Sequence, residues 1–214
     1  MARPLRADAE RNRAKILEAA ADVFASAGLE ATLHDVAARA QVGVGTVYRR
    51  FPDKEALLGA LFDDKLRAVI DVAQRATRER DSWQGLVGFL RALTQMQSEN
   101  RGLHEVLNGS EYCQERVTEA REAFAPLVEH LLSRAQADGY VRLDLEPSDL
   151  TVILLMLNAV ALFSHEVHPD LWERQLELLL EGLRARPGQS PLSRPALTDD
   201  ELAESTRGLH RMRR

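Results

Sequence analysis

Apolar residues recur at helical spacing in almost every segment of this 214-residue chain, and no stretch alternates for long as a β-strand does. The clearest apolar stripe ends before Gly28 and consists of Ile16, Leu17, Ala20, Val23, Phe24 and Ala27. Helices with one apolar face are stable mainly when that face packs against other elements. The sequence therefore predicts an all-α fold.

Capping residues define the helices that follow this stripe. Thr32 and Asp35 have the spacing of a capping box and open a short helix. A tight turn at residues 41–43 leads to a second short helix over 44–51, which a proline ends. A long helix over about 53–78 comes next, beginning at an aspartate that can cap it.

Glycine and proline residues mark the joints in the rest of the chain. Further helices are predicted over 83–99, 101–108, 112–138, 147–166 and 170–185. After Pro187 the sequence is rich in Pro, Ser and Gly, as linkers are, although Thr198 and Glu201 have the spacing of another capping box. We predict an N-terminal domain over 1–52, a helical domain over 53–186 and a flexible tail over 187–214.

The charge distribution separates the N-terminal part from the rest. The whole chain carries a formal charge of -5, yet residues 1–55 hold nine Lys and Arg against eight Asp and Glu. The remainder holds nineteen against twenty-five. Local clustering, rather than total charge, decides whether a surface can meet phosphates, so the N-terminal part is compatible with nucleic-acid binding.

Three features bear on the cellular compartment. The lone Cys113 excludes an internal disulfide and fits a reducing compartment. Glu18 and Asp22 interrupt what would be the apolar region of a signal peptide. The longest apolar run, from Leu150 to Phe163, is too short to cross a bilayer and predicts a buried core helix. We therefore expect a cytoplasmic protein.

Two short helices joined by a tight turn with a glycine, packed on a first helix, form the pattern of a helix-turn-helix. Residues 37–58 read AARAQVGVGTVYRRFPDKEALL, which closely resembles the signature of the TetR family of transcriptional regulators. The resemblance covers roughly residues 12–60, and beyond them only the pattern of helices is similar. It implies a homodimer with DNA-binding heads and a body, over 53–186, that senses a small molecule and dimerises.

Helical spacing turns Val47 and Phe51 toward the core of the N-terminal domain, which we call the head, and leaves the other side of their helix facing outward. The resemblance implies that Thr46, Tyr48 and Lys54 contact phosphates. Thr32 and His34, at the start of the preceding helix, match positions that contact the DNA backbone and sometimes a base. Gly43 and Gly45 have no side chain, so the protein backbone can approach the groove there. The predicted DNA-binding set consists of Thr32, His34, Gly43, Val44, Gly45, Thr46, Tyr48, Arg49, Arg50 and Lys54.

Arg49 is the predicted reader of a guanine, because its planar guanidinium matches the O6 and N7 acceptors. Val44 replaces a residue that is often polar in the family, so we expect from it only apolar contact with a thymine methyl. A competing interpretation keeps Arg49 and Arg50 in ion pairs with Asp53 and Glu55.

Two other features of the head also admit two interpretations. Tyr48 either faces DNA or is half-buried in packing. Arg3 and Arg6 either reach an adjacent groove as a flexible arm or belong to a solvated tail, and the tail is the simpler interpretation.

Large apolar and aromatic side chains with a few polar groups recur after residue 83. Sensor domains of the TetR family enclose a cavity among such helices, so the resemblance implies a pocket for an apolar or amphipathic ligand. The alternative is that these side chains fill a close-packed core. The predicted lining consists of Trp83, Phe89, Met96, His104, Leu107, Tyr112, Phe124, Leu127 and Met156.

The two predicted helices over 147–166 and 170–185 carry apolar residues on more than one face. The resemblance implies that they form a four-helix interface with the second copy of the chain. The alternative is that the extra apolar surface packs within one chain. The predicted interface centres on Leu154, Leu157, Ala161, Leu176, Leu179 and Leu183.

Motifs of enzymes and metal sites are missing from the sequence, which has no Gly-rich phosphate loop, nucleophile elbow or HExxH. His165 and His168, near Glu166 and Asp170, have ligand-like spacing but lie at a helix end, where capping or surface roles are favoured. We expect a ligand-released repressor with no enzymatic activity and no cofactor, although activation stays open. The rivals are a helical ligand-binding or transport protein and a helical enzyme.

Overall fold

The computed structural model describes residues 3–99 and 114–212. Within these residues the chain forms nine α-helices and no strand, and the all-α prediction is confirmed. The helices are α1 (Arg3–Ala27), α2 (Leu33–Ala40), α3 (Val44–Arg50), α4 (Lys54–Thr77), α5 (Ser82–Glu99), α6 (Gln114–Ala137), α7 (Pro147–Ser164), α8 (Leu171–Leu183) and α9 (Asp199–Met212). A 3-10 turn, Gly28–Glu30, follows α1. The predicted helix over 101–108 lies outside the described residues.

The chain divides into two compact units. Of the described residues, 3–67 and 114–119 form the first unit, and 68–99 and 120–212 form the second. The first unit extends past the predicted domain boundary at residue 52, because Leu57, Leu58 and Leu61 of α4 belong to its core.

The core of the first unit forms around the apolar stripe of α1. Thr32 and Asp35 form the predicted capping box at the start of α2. The turn into α3 depends on Gln41, whose φ of 55° is left-handed and lets the Gln41 and Val42 amides reach carbonyls at the end of α2. The buried residues of this core are Ile16, Leu17, Ala19, Ala20, Phe24, Ala31, Leu33, Val36, Ala37, Val47, Phe51, Leu57, Leu58 and Leu61.

The second unit has its own core, built from α5 to α8 and the end of α4. Helix α7 begins with Pro147 inside a capping box formed by Glu146 and Asp149. After α6, Gly139 (φ 76°) turns the chain, and Val141 forms an isolated antiparallel bridge with Arg184 at the end of α8. The ends of α6 and α8 are therefore joined by backbone hydrogen bonds.

The tail predicted to be flexible is attached to the second unit. Arg142 and Asp144 form an ion pair of 2.6 Å, and both groups also bind the tail. The Arg142 guanidinium donates to the Ser190 carbonyl (2.9 Å), and the Leu192 amide donates to the Asp144 carboxylate (2.7 Å). The hydrogen bond from the Arg142 guanidinium and the one from the Leu192 amide hold the pKa of Asp144 well below its usual range. Composition alone did not reveal them, because the partners are 48 residues apart.

Two glycines of α5 give a matched test of how closely this helix packs against the end of α4. A Cβ at Gly85 would lie 2.6 Å from the Ala76 carbonyl oxygen, whereas a Cβ at Gly88 would have no atom within 4 Å. We expect Gly85→Ala to lower the free energy of unfolding by ~1–3 kcal/mol through overpacking against backbone. Gly88→Ala should raise it by ~0.5–1 kcal/mol, because alanine favours helix. Urea denaturation measures both, and shifts in the same direction would contradict the close approach of α5 to Ala76.

Candidate nucleic-acid interface

Helix α3 has a buried side and an exposed side. Val47 has no exposed surface and Phe51, which ends the helix, is also buried. Tyr48 is 43% exposed, and Arg49 and Arg50 are exposed beside it. The packing of two apolar residues thus leaves an aromatic hydroxyl and two guanidinium groups at the surface, which are groups suited to phosphates and base edges.

The start of α3 differs in one respect from the prediction. Val44 was expected to face outward, but it is half-buried and packs against the head core. Gly43 and Gly45 are exposed, and Thr46 is half-buried with its amide bound to the Gly43 carbonyl at 2.8 Å. The first turn of α3 therefore presents mostly backbone to solvent.

The start of α2 lies against α3. Thr32 is engaged in the capping box: its hydroxyl donates to the Asp35 carboxylate (2.6 Å) and accepts from the Asp35 amide (3.2 Å). The donation from the Thr32 hydroxyl, together with a second one from the Thr32 amide (2.9 Å), lowers the pKa of the Asp35 carboxyl group. His34 is exposed, and its ring meets Tyr48 edge-on with centroids 5.9 Å apart. Two aromatic groups from separate helices thus share one surface.

Lys54, at the start of α4, already contacts other residues of the first unit. Its ammonium donates to the Leu29 carbonyl after α1 and lies 5.7 Å from the centre of the Phe24 ring. An ammonium has three N–H groups, so this contact leaves donors for a phosphate. The sequence motif identifies the lysine but not this contact, which joins residues 25 positions apart.

The positive charges of the head differ in whether they are neutralised. Arg39 pairs with Asp22 at 2.5 Å, and Arg13 lies 3.7 Å from Asp64. Within the part of the chain that the structure describes, neither arginine of α3 forms an ion pair. The competing pairs with Asp53 and Glu55 are therefore not formed, and the Asp53 carboxylate instead accepts from the Ala56 amide at 2.7 Å.

The backbone at Arg3 and Arg6 is helical, since both residues belong to α1. This differs from both interpretations of the sequence, a flexible arm and a solvated tail. The uninterrupted helical pattern from Arg3 to Ala27 gives the physical reason, because no glycine or proline other than Pro4, in the first turn, interrupts it.

The predicted ligand-lining residues are dispersed. Phe89 and Phe124 stack with ring centroids 5.7 Å apart, and Met96 and Leu127 are partly buried against the same core. Trp83 is covered by the Arg184 guanidinium at 4.2 Å. Trp83 also lies 13 residues from Met96 on one helix, a rise of about 20 Å, so the two residues do not line one small cavity.

Other members of the predicted lining fall elsewhere. Met156 is 45% exposed on α7, so in the single chain it lies at the surface rather than in the core. His104, Leu107 and Tyr112 lie outside the described residues, as does Cys113.

The predicted dimer residues mostly belong to the core of their own chain. Leu157 and Leu176 have no exposed surface, Leu154, Ala161 and Leu183 are also buried, and Leu179 is half-buried. Side chains already packed inside their own unit leave little surface for a partner, so the part of this predicted interface that could contact a second copy is small. The exposed apolar residues of α7 and α8 are Leu155, Met156, Ala159, Leu162, Phe163 and Leu178.

His165 and His168 are both exposed beyond the end of α7. The backbone amide of His168 donates to the Ser164 carbonyl at 2.7 Å, so this segment continues the helix end as a turn. Among the described residues no group of three His, Cys, Asp or Glu side chains is arranged to hold a metal ion.

Comparisons with known proteins agree with this geometry. The family profile "Bacterial regulatory proteins, tetR family" matches residues 16–61, and "Transcriptional regulator SbtR-like, C-terminal domain" matches residues 81–185. A solved TetR transcription regulatory protein from Mycobacterium vanbaalenii is 33% identical, with a TM-score of 0.64 over 85% of this chain and 100% of that one. This chain belongs to the TetR family of transcriptional regulators.

Two curated relatives extend the comparison. The HTH-type transcriptional regulator SrpR of Pseudomonas putida is 28% identical over 203 residues, which cover 92% of this chain and 87% of that protein. The HTH-type transcriptional repressor Rv3405c of Mycobacterium tuberculosis is 47% identical over 55 residues, which cover 25% of this chain and 29% of that protein. As a TetR-family member the protein is a DNA-binding transcriptional regulator and not an enzyme.

A substitution of Lys54 can separate its contact with the Leu29 carbonyl from its proposed contact with a phosphate. We propose that its remaining N–H groups bind a phosphate, so Lys54→Met should weaken binding to any duplex and lower the slope of log affinity against log salt by about one. It should also lower the melting temperature, because the Leu29 carbonyl loses a donor worth ~1 kcal/mol. Fluorescence anisotropy over a salt series and thermal unfolding measure the two effects.

Arg39→Met is the control for Lys54→Met. It removes a charge of the same sign that Asp22 already neutralises, so the salt slope should not change. A Lys54→Met protein with reduced stability and an unchanged salt slope would limit Lys54 to its role within the head.

Proposed function

We propose that this TetR-family regulator is a cytoplasmic repressor that binds a palindromic operator as a homodimer and is released by a small apolar or amphipathic ligand. The observation that supports this most is the surface of α3, where Tyr48 faces outward beside Arg49 and Arg50, two arginines that form no ion pair with any residue in 3–99 or 114–212. Repression is further supported by the mycobacterial relative, whose name describes it as a repressor and whose 55 matching residues are 47% identical.

We propose a dimer because a single head offers too few base contacts for sequence specificity. A single α3 presents two or three side chains to base edges, which gives little sequence specificity alone. Two heads related by a two-fold axis read two half-sites about 34–36 Å apart, one turn of DNA. The operator of such a dimer is therefore palindromic.

The exposed stripe of α7 is the surface that we assign to the dimer. Its members Leu155, Met156, Ala159, Leu162 and Phe163 follow helical spacing on the side opposite to the buried residues. Phe163 is 86% exposed and Leu178 of α8 is 59% exposed. Contiguous apolar surface of this kind is normally covered by another protein surface.

Helix α7 is also long and apolar enough to cross a membrane by length and composition alone. A core helix meets the same criterion, and Leu150, Ile153 and Leu157 of α7 are buried in the core of the second unit. The second copy of the chain therefore accounts for its exposed side better than lipid does.

We place the ligand near Phe89, Met96, Phe124 and Leu127. The two phenylalanines stack, and a hydrogen bond between the Gln97 and Asn158 side chains supplies polar groups near one end of α5. Apolar walls with a few polar groups are typical of small-molecule sites. A ligand that prefers the DNA-incompetent state releases the operator with a coupling of ~1–3 kcal/mol.

The readout by Arg49 can be tested once an operator is selected from random duplexes. Arg49→Ala should weaken operator binding by ~1–3 kcal/mol and relax the preference at one base pair in each half-site, because a bidentate contact to guanine is lost. Fluorescence anisotropy on the selected operator and on single-base variants measures this.

Arg39→Ala is the matched control, since Asp22 already neutralises that arginine. A selection that returns no palindrome would contradict the dimer model of operator recognition. Unchanged base preference in Arg49→Ala would reduce Arg49 to a phosphate contact.

The dimer surface has its own pair of variants. Phe163→Asp should give monomers with unchanged helical content and a large loss of operator affinity, because it places a charge in the apolar stripe. Leu143→Asp is the control, since Leu143 is 80% exposed but lies in the turn after α6, away from the stripe. Sedimentation velocity measures both, and a Phe163→Asp protein that remains dimeric would show that the interface lies elsewhere.

A further inference from the structure

Helix α4 carries two adjacent carboxylates that engage two different helices of the first unit. Asp64 accepts from Arg67 of the same helix and lies 3.7 Å from Arg13 of α1. Asp63 accepts from Nη1 of Arg116, in the first turn of α6, at 2.5 Å. One turn of α4 is therefore connected to both α1 and α6.

The Arg116 guanidinium has a second attachment, at Gly59. A Cβ built on Gly59 would lie 3.3 Å from Cζ and Nη2 of Arg116 and 3.4 Å from its Nε. Nearly equal distances to three atoms of one plane mean that the guanidinium lies face-on over the glycine. The missing side chain at Gly59 thus leaves the room in which the Arg116 guanidinium lies beside Asp63, and a larger residue at this position would crowd the ion pair.

We propose that the Asp63–Arg116 pair is the restraint through which the start of α6 sets the position of α4, and with it the reading helix α3, for operator binding. Leu57, Leu58 and Leu61 of α4 share one core with Val47 of α3. A displacement of this part of α4 therefore reaches α3 through close packing.

The position of Arg116 in the sequence links this restraint to regulation. It lies four residues after the end of the segment 104–112, which contains three of the ligand-lining residues predicted from sequence. A ligand that moves the start of α6 must disrupt this ion pair to reposition α4, and the energy of one ion pair is of the order of a typical allosteric coupling. The inference rests on the proposed function and names the contact that regulates it.

The test uses two substitutions with opposite charge effects. Asp63→Asn removes a negative charge and, by charge alone, would strengthen DNA binding, whereas Arg116→Gln removes a positive charge and would weaken it. If the pair is a restraint, each substitution should weaken binding to the selected operator about three- to tenfold, since two heads per dimer each lose one restraint. The salt slope should stay unchanged, because no phosphate contact is lost.

The double variant completes the cycle. Asp63→Asn/Arg116→Gln should bind the operator no more weakly than either single variant, because both remove the same interaction. Glu119→Gln and Arg75→Gln are matched controls, since both residues are exposed, lie on α6 and α4, and form no ion pair within the described residues. Sedimentation and thermal unfolding check that the variants remain folded dimers.

The outcomes separate this inference from the function on which it rests. A wild-type protein that binds its operator, together with an Asp63→Asn variant that binds as tightly or more tightly, would overturn the restraint and leave the function standing. A wild-type protein with no sequence preference would overturn the proposed function and the restraint with it.

Discussion

The surface that we propose reads DNA depends on the burial of Val47 and Phe51. Helix α3 has seven residues, far fewer than an isolated helix needs in water. Its N-cap, Gly43, offers no side-chain hydrogen bond, so its ends contribute little support. The helix is therefore held by the core that α1, α2 and the start of α4 supply. The orientation of Tyr48, Arg49 and Arg50 is a consequence of that packing.

In the second unit the constraint is an excess of apolar surface rather than a helix too short to be stable alone. Helix α7 is apolar around its whole circumference, and a helix of this kind is stable only when most of its surface is covered. The core of its own unit covers one side through Leu150, Leu157 and Ala161. The other side needs a second surface. In the dimer that we propose, the same helix joins the stability of one chain to its association with another.

The sequence predicted features that depend on local spacing. The capping boxes at Thr32 and Thr198 and the buried face of α3 needed only residues a few positions apart. On α7, by contrast, leucines occupy every side, so spacing could not tell the inner Leu157 from the outer Phe163. That choice is made by neighbouring helices, which the sequence of α7 does not contain.

Long-range polar contacts were beyond prediction for a related reason. The Lys54 ammonium reaches Leu29, and Asp144 binds the amide of Leu192, across separations that no local pattern encodes. The motif around Lys54 indicated a DNA contact and gave no sign that the lysine also donates a hydrogen bond to the Leu29 carbonyl. The hydrophilic tail similarly gave no sign of its attachment, because its hydrogen bonds to Arg142 and Asp144 join residues 48 positions apart.

The first unit is discontinuous in sequence, which affects how a newly made chain matures. Asp63 and Arg116 are 53 residues apart, so Arg116 is synthesised well after the core residues of the head. At ~5–20 residues per second, a ribosome needs about 3–10 s to add that stretch. During this interval all residues of the apolar core of the first unit have been made, whereas the contact with α6 cannot yet form. A fragment that ends after α4 would preserve this immature state permanently.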